Sequence, residues 1–162
     1  RVGGGLAISL SSTIDGAESA DNGMPLGGGV EISLAKYVPQ LKDASLLVGF
    51  GVVTKKVTYK TYKDKEQSHT DISALLKFGL PVKLPNNMKA YACAGGVLSS
   101  AEEKTSDKIL QFGAGVEYPV NPKLSATVTA LYSMGLDNQL WLYGGDATRS
   151  GLGLAVGVLY AL

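Results

Sequence analysis

Residues 110–132 read LQFGAGVEYPVNPKLSATVTALY. On both sides of a short connection at 121–122, bulky apolar side chains alternate with small or polar ones. Because successive side chains of a β-strand point to opposite faces, this period of two predicts two strands joined by a tight turn. One face is aliphatic and aromatic, whereas the other is mostly Gly, Ser and Thr and includes the carboxylate of Glu117.

The same alternation recurs along the whole chain of 162 residues, which is the length of one domain. It predicts an all-β fold of eight antiparallel strands in a single domain that spans residues 1–162. The predicted strands are 4–12, 29–38, 45–57, 68–82, 88–99, 108–120, 123–134 and 150–162. A narrow eight-stranded interior has room only for side chains, which gives a reason for the 21 glycines.

The distribution of charge indicates which face is outward. A soluble barrel fills its core with aliphatic side chains and needs charged side chains on its outer face. Although the chain has 15 Lys and Arg and 14 Asp and Glu, few of them fall at strand centres. Those few are Glu31, Lys36, Asp71, Lys77, Lys89 and Glu117. The pattern favours an aliphatic face toward lipid and a small, polar lumen, because a closed sheet pairs its backbone groups within hydrocarbon.

The connections between the predicted strands alternate in length. Those at 39–44, 83–87 and 121–122 are short, and the others, at 13–28, 58–67, 100–107 and 135–149, are longer and more polar. Outer-membrane barrels have short periplasmic turns and long external loops. The sequence therefore predicts an eight-stranded antiparallel up-and-down transmembrane β-barrel with both termini on the periplasmic side.

Composition excludes several other classes. The longest apolar run, residues 151–162, has twelve residues, fewer than the ~18 of a membrane-spanning helix. A net charge of +1 provides no basic field for nucleic acid. With one cysteine, Cys93, and one histidine, His69, we expect no bound metal and no cofactor.

Two stretches carry a resemblance to a known family. Residues 112–132 have a strand–tight turn–strand pattern, and residues 90–96 read AYACAGG, a glycine-rich strand. Both resemble the small eight-stranded outer-membrane barrels grouped around the OmpA transmembrane domain and OmpX. The resemblance implies a bacterial outer membrane as the location, with outer-membrane lipids and lipopolysaccharide around the chain.

Polar side chains on the small-residue face are expected to fill the lumen. Charges there must pair or be hydrated, because isolation in a low dielectric is costly. We expect Lys77 and Glu117 to pair across the lumen and Glu31 to lie nearer the opposite end. The predicted lumen network is Glu31, Asp71, Lys77, Gln111 and Glu117.

Aromatic side chains near the short-turn ends of the strands predict an interfacial girdle. The predicted girdle residues are Tyr37, Phe78, Tyr91, Tyr118 and Tyr160. Cys93 shares the face of Tyr91 by parity, so we expect it to face lipid as a small apolar side chain.

The connection around residues 58–67 continues to alternate beyond the expected membrane span. It contributes to a candidate polyanion-binding loop, which could attract lipopolysaccharide phosphates; a merely solvated rim is the alternative. The lysines of this loop are Lys55, Lys56, Lys60, Lys63 and Lys65.

These observations favour a monomeric barrel with a structural, adhesive or anchoring role through its external loops or a protein partner there, and no enzymatic activity. A narrow ion-conducting pore is one alternative, and a soluble calycin-like ligand binder is the least favoured. A lipid or peptide hydrolase on the same scaffold is another, since Ser68, His69 and Asp71 are acyl-transfer residue types. Ser68 and His69 are adjacent on a strand, however, so they point to opposite faces.

Overall fold

The computed structural model of the protein describes residues 1–14, 17–18, 26–34, 46–59, 65–101, 106–136 and 149–162. The strands are β1 Val2–Ile14, β2 Ala17–Glu18, β3 Leu26–Ser33, β4 Leu46–Tyr59, β5 Lys65–Gly79, β6 Lys89–Ala101, β7 Ser106–Pro119, β8 Leu124–Gly135 and β9 Arg149–Tyr160. A 3-10 turn covers Pro85–Asn87. Within these ranges, no helix has the length and hydropathy needed to cross a bilayer.

The sheet closes on itself. Sequential strands pair antiparallel, and β1 also pairs with β9 from Val2↔Tyr160 to Ile14↔Arg149, with a bulge between Ser9 and Ser11. The two-residue β2 pairs only with the far end of β1, so the wall of the barrel has eight strands. The predicted all-β, eight-stranded antiparallel up-and-down barrel is confirmed.

Most strands lie where the alternation predicts them. The main difference is the second predicted strand, 29–38, because β3 covers Leu26–Ser33 instead. Residues 35–45 lie outside the described residues. The hairpin of β4 and β5 is also longer than predicted at its far end, where pairing continues to Tyr59↔Lys65.

The two faces of the sheet have the predicted orientation. Phe112, Val116 and Val158 on the outer face are 46%, 37% and 53% exposed, whereas Glu117 on the inner face is 6% exposed. Among the side chains that the structure describes, outward positions of the barrel strands carry two charges, Lys56 and Lys108. Both lie toward the long-connection end of the barrel, so the middle of the outer face is apolar.

The apolar part of the outer face has the height of a membrane. On β8 it extends from Leu124 to Met134. At roughly 3.4 Å per residue and a strand tilt of ~40°, this span corresponds to about 26 Å, close to the ~25 Å apolar band of outer-membrane barrels.

Two described short connections hold one end of the barrel together. After β7, the side-chain carbonyl of Asn121 accepts hydrogen bonds from the backbone nitrogens of Lys123 and Leu124, at 2.9 and 2.8 Å. After β5, the Leu80 nitrogen donates to the carbonyl of Ala90 at 2.9 Å, and Asn86 has a positive φ of 55°. Asn tolerates such turn conformations because its side chain hydrogen-bonds locally. Residues 1 and 162 lie at this same end, since Val2 pairs with Tyr160.

Inward glycines allow the strands to approach closely. A Cβ on Gly113 would lie 2.5 Å from the Ala130 carbonyl oxygen and 3.0 Å from Cys93 Sγ. A Cβ on Gly115 would lie 2.7 Å from the hydroxyl oxygen of Tyr91. In this narrow lumen, glycine therefore makes room for the few large side chains that point inward.

The apolar band predicts lipid contact, which spin labels can test. In a Cys93→Ala background folded into lipid vesicles, a nitroxide on Val128→Cys should collide with dissolved oxygen far more often than with a water-soluble nickel chelate. The matched control is Lys56→Cys, which is also outward but lies beyond the band, and there we expect the opposite preference. Equal accessibility at the two sites in electron paramagnetic resonance would contradict lipid contact at Val128.

Candidate functional site: the barrel lumen

Four charged side chains meet in the lumen at the short-connection end. Lys77 Nζ lies 3.2 Å from Glu31 Oε1 and 3.6 Å from Glu117 Oε2. Arg1 Nη2 lies 2.7 Å from Glu117 Oε2 and 3.3 Å from Glu31 Oε2. Each cation thus contacts both carboxylates, and we call Arg1, Glu31, Lys77 and Glu117 the charged ring. Two positive and two negative charges offset one another, so the burial of each is compensated.

Strand register brings the ring together. Glu31 is near the end of β3 and pairs with Gly49 of β4. The next residue of β4 on the same face is Leu47, which pairs with Lys77. Arg1 extends the β1–β3 ladder, because its nitrogen donates to the Glu31 carbonyl and the Glu31 nitrogen donates to the Arg1 carbonyl. The expectation that Glu31 lies nearer the opposite end is therefore wrong. It followed from a strand predicted to run to residue 38, whereas β3 ends at Ser33.

Tyr91 fills the lumen beside the ring. Lys77 Nζ lies 3.8 Å from the centre of its ring, a cation–π contact. The Tyr91 hydroxyl shares a 2.5 Å hydrogen bond with Thr129 Oγ1. This aromatic side chain packs against Gly115 and closes part of the lumen cross-section.

Two predictions for β6 are wrong. Tyr91 does not belong to an interfacial girdle and Cys93 does not face lipid, since both point inward and are only 5% and 7% exposed. The physical reason is the complementary pattern on β7, where Gly113 and Gly115 leave room for these larger side chains. In this part of β6 the outward residues are the small ones, and Ala92 is among them.

A second polar cluster lies further along the lumen. Ser99 Oγ donates to Asp71 Oδ1 at 2.5 Å and contacts His69 Nδ1 at 3.4 Å. All three residues are buried, at 2%, 8% and 4% exposure. Because the hydroxyl proton is directed to Asp71, His69 Nδ1 can contact this oxygen only as a donor. Sequence reasoning missed Ser99, since only the β5–β6 register places it opposite Asp71.

The predicted lumen network is therefore divided. All five of its residues point inward, but they form separate groups. Glu31, Lys77 and Glu117 belong to the charged ring, Asp71 belongs to the Ser99 cluster, and the Gln111 side-chain amide donates to Ser133 Oγ at 3.0 Å. Arg1 was missed because it precedes the first predicted strand.

The lumen is not filled along its whole length, contrary to expectation. A cavity of about 240 Å³ lies along the inner surface of β9, β1, β3 and β4, and glycine is the commonest residue of its lining. Glu31 borders the cavity. Polar side chains thus fill the short-connection end, while glycines leave the adjoining part empty.

The remaining predicted sites are only partly described. Phe78, Tyr118 and Tyr160 are 43%, 44% and 44% exposed on the outer face, as a girdle requires, and Lys123 Nζ lies 5.9 Å from the Tyr160 ring centre. Tyr37 lies outside the described residues. For Phe78, Tyr118 and Tyr160, the interfacial girdle therefore stays a prediction.

The lysine loop also stays a prediction. Lys56 is exposed, but Lys60 and Lys63 lie outside the described residues, as do the side chains of Lys55 and Lys65. Throughout the part of the chain that is described, no group of three or more His, Cys, Asp or Glu side chains is placed to hold a metal ion.

Comparison with known proteins supports the fold. No protein-family model matches the sequence, and no curated protein matches it. Neisserial surface protein A matches with a TM-score of 0.64 at 13% identity, over 98% of this chain and 96% of that chain. The outer membrane enzyme PagL matches with a TM-score of 0.59 at 12% identity, over 96% of this chain and 97% of that one.

A third solved structure agrees with these two. The outer membrane protein OprG from Pseudomonas aeruginosa matches with a TM-score of 0.55 at 13% identity, over 98% of this chain and 93% of that chain. The resemblance to small eight-stranded outer-membrane barrels is therefore confirmed at the level of fold.

The charged ring should contribute strongly to stability. Lys77→Met leaves Glu31 and Glu117 with Arg1 as the only cation of the ring, so we expect the free energy of unfolding to fall by about 3 kcal/mol. Urea unfolding of the protein in lipid vesicles measures this change. Lys83→Met, at an exposed lysine of the β5–β6 connection, is the control and should change stability by less than about 0.5 kcal/mol.

A double variant checks the cause. Lys77→Met combined with Glu117→Gln removes one charge of each sign and should recover part of the loss. An unfolding free energy for Lys77→Met that equals that of Lys83→Met would show that the ring contributes no stability.

Proposed function

We propose that this chain, which has the fold of the small outer-membrane barrels, is an integral outer-membrane protein with a closed lumen. Its role would be structural, adhesive or anchoring. The observation that carries the proposal is the combination of an apolar outer band with charges confined to the lumen and the strand ends. A soluble calycin-like binder would reverse these two faces.

The arrangement of the connections supports an orientation. In this fold class, short turns face the periplasm. Residues 1 and 162 lie at the end that carries the short connections after β5 and β7. We therefore place both ends of the described chain on the periplasmic side and the longer connections outside the cell.

The β4–β5 hairpin supports a role at the external surface. Its last apolar outward pair is Val52↔Ile72, and pairing continues from Thr54↔Thr70 to Tyr59↔Lys65. At a tilt of ~40°, this extension rises about 13 Å above Thr54. Such a projection, with Lys56 exposed on it, suits contact with a protein partner or with the phosphates of lipopolysaccharide.

The charged ring supports a closed lumen rather than an ion pore. Lys77 and Glu117 have side-chain exposures of 10% and 8%, and the ring lies beside the inward Tyr91. An ion that crosses this level would have to displace side chains that already satisfy one another. The same contacts hold a monomeric barrel together without a second copy of the chain.

Planar-bilayer recording tests closure. We expect the wild-type protein to show no stable single-channel conductance, whereas Tyr91→Ala, which removes the aromatic side chain beside the ring, should show short-lived openings. Sustained conductance steps from the wild type would replace the closed barrel with an ion-conducting pore.

We also propose that the chain has no hydrolase activity. PagL is named as an enzyme, so the scaffold is compatible with catalysis, but 12% identity carries only the fold. In the Ser99 cluster, the serine hydroxyl donates to Asp71 rather than to His69. A serine nucleophile needs the imidazole to accept its proton, and the buried hydroxyl is not presented to a substrate.

Turnover assays test the absence of hydrolysis. Wild-type protein, Ser99→Ala and His69→Ala should all leave lipid A and peptide substrates at the rate seen in empty vesicles. Wild-type turnover that is lost in either variant would establish a hydrolase and contradict the proposal.

A further inference from the structure

The cavity in the lumen has a wall of unusual composition. Strands β1 and β3 pair Gly3, Gly4 and Gly5 with Gly29, Gly28 and Gly27. Inward glycines of β4 and β9 continue this surface on either side. Their backbone groups lie within antiparallel ladders, so the wall presents mainly Cα and peptide surface with its hydrogen bonds already made.

The facing side chains are mostly apolar. Val53, Leu75 and Leu159 line the cavity, and Ser73, which also lines it, donates its hydroxyl proton to the Gly51 carbonyl at 3.3 Å. Water in a cavity needs two to four polar partners. A volume of about 240 Å³ could hold several water molecules. The polar side chains of the described lining are Glu31, Ser73 and Thr127, and Ser73 already donates to Gly51.

One charged side chain lies at the edge of the cavity. Among the described residues that line it, Glu31 is the one that carries a charge. Its carboxylate is ion-paired with Arg1 and Lys77, and its side chain keeps 17% exposure. Because a carboxylate has about four lone-pair positions, a ligand in the cavity can donate a further hydrogen bond to Glu31.

The volume limits the ligand. Engineered apolar cavities of ~150 Å³ bind benzene, so about 240 Å³ accommodates one aromatic ring or a short branched chain together with a small polar group. Oligosaccharides and folded peptides exceed this volume, and a single sugar ring, which carries hydroxyl groups around its edge, lacks the apolar surface that the lining would cover.

We propose that the cavity is a binding site for a small, largely apolar molecule that carries one hydrogen-bond donor, which it directs to Glu31. The apolar part lies against the glycine wall and the side chains of Val53, Leu75 and Leu159. The site is independent of the role of the external loops, because none of its residues belongs to a long connection.

Methyl NMR with phenol as the probe tests this site. In the wild-type protein folded in nanodiscs, phenol should shift the methyl resonances of Val53, Leu75 and Leu159 in a saturable manner. Toluene has the same ring without the donor and should bind about tenfold more weakly, the loss expected for one hydrogen bond of about 1.4 kcal/mol. Benzoate, which brings a negative charge to Glu31, should not bind.

A cavity-filling variant distinguishes the site from general partitioning into lipid. A Cβ on Gly49 would meet only Glu31 Cγ at 3.7 Å and the Leu75 carbonyl oxygen at 3.8 Å, so a side chain can enter there without displacing backbone. Gly49→Leu should weaken phenol binding at least tenfold. Gly49→Val gives a smaller, graded loss and serves if the larger side chain prevents folding.

Gly96→Val is the matched control. Gly96 faces outward, and a Cβ there would have a single neighbour at 3.9 Å, so phenol binding should match the wild type. The proposal fails if phenol shifts only outward methyl groups such as those of Val128 and Val158. It also fails if Gly49→Leu binds phenol as well as Gly96→Val does, or if toluene binds as tightly as phenol.

Discussion

The structure depends on the pairing of its backbone amides and carbonyls within one closed sheet. An open sheet leaves two unpaired edges, whereas a closed one leaves none. Here closure comes from the pairing of β1 with β9, which extends from Val2↔Tyr160 to Ile14↔Arg149. Once the sheet is closed, its two faces meet different surroundings, and each side chain faces either the outside or a narrow lumen. The division between an apolar outer face and a small, polar inner face follows from that single condition.

Closure with eight strands also limits what the lumen can hold. The strands approach so closely that a Cβ on Gly113 would collide with the Ala130 carbonyl, and the inward Tyr91 fits because glycines lie beside it. Tyr91 uses the space left by Gly115 and stands next to Lys77. On the opposite side, β1 and β3 place glycines against glycines with no large side chain between them, and a cavity results. The same residue type thus permits close packing in one half of the barrel and leaves space in the other.

The sequence was sufficient to predict the fold, because period-two alternation and the placement of charge can both be recognised without knowing the strand register. It was insufficient where the two faces of a strand are alike in size. Around Tyr91 and Cys93 the outward residues of β6 are alanines, so the assumption that larger side chains face lipid gave these two residues the wrong orientation. The depth of Glu31 depended on where β3 ends, which alternation locates poorly. The contacts of Arg1 and Ser99 depend on the pairing of residues that are far apart in the sequence. No local sequence pattern predicts such contacts.

The inward positions of β5 show how the parts of the lumen are ordered. After Gly79 at the short-connection end, they are Lys77, Leu75, Ser73, Asp71 and His69. Lys77 belongs to the charged ring, Leu75 and Ser73 line the cavity, and Asp71 and His69 belong to the Ser99 cluster. A lumen that is polar at both levels and largely apolar between them opposes ion passage, because an ion would lose its hydration in the middle at a cost of several kcal/mol. A small neutral molecule does not have this dehydration penalty. The arrangement that opposes ion passage therefore also favours an apolar ligand inside the barrel.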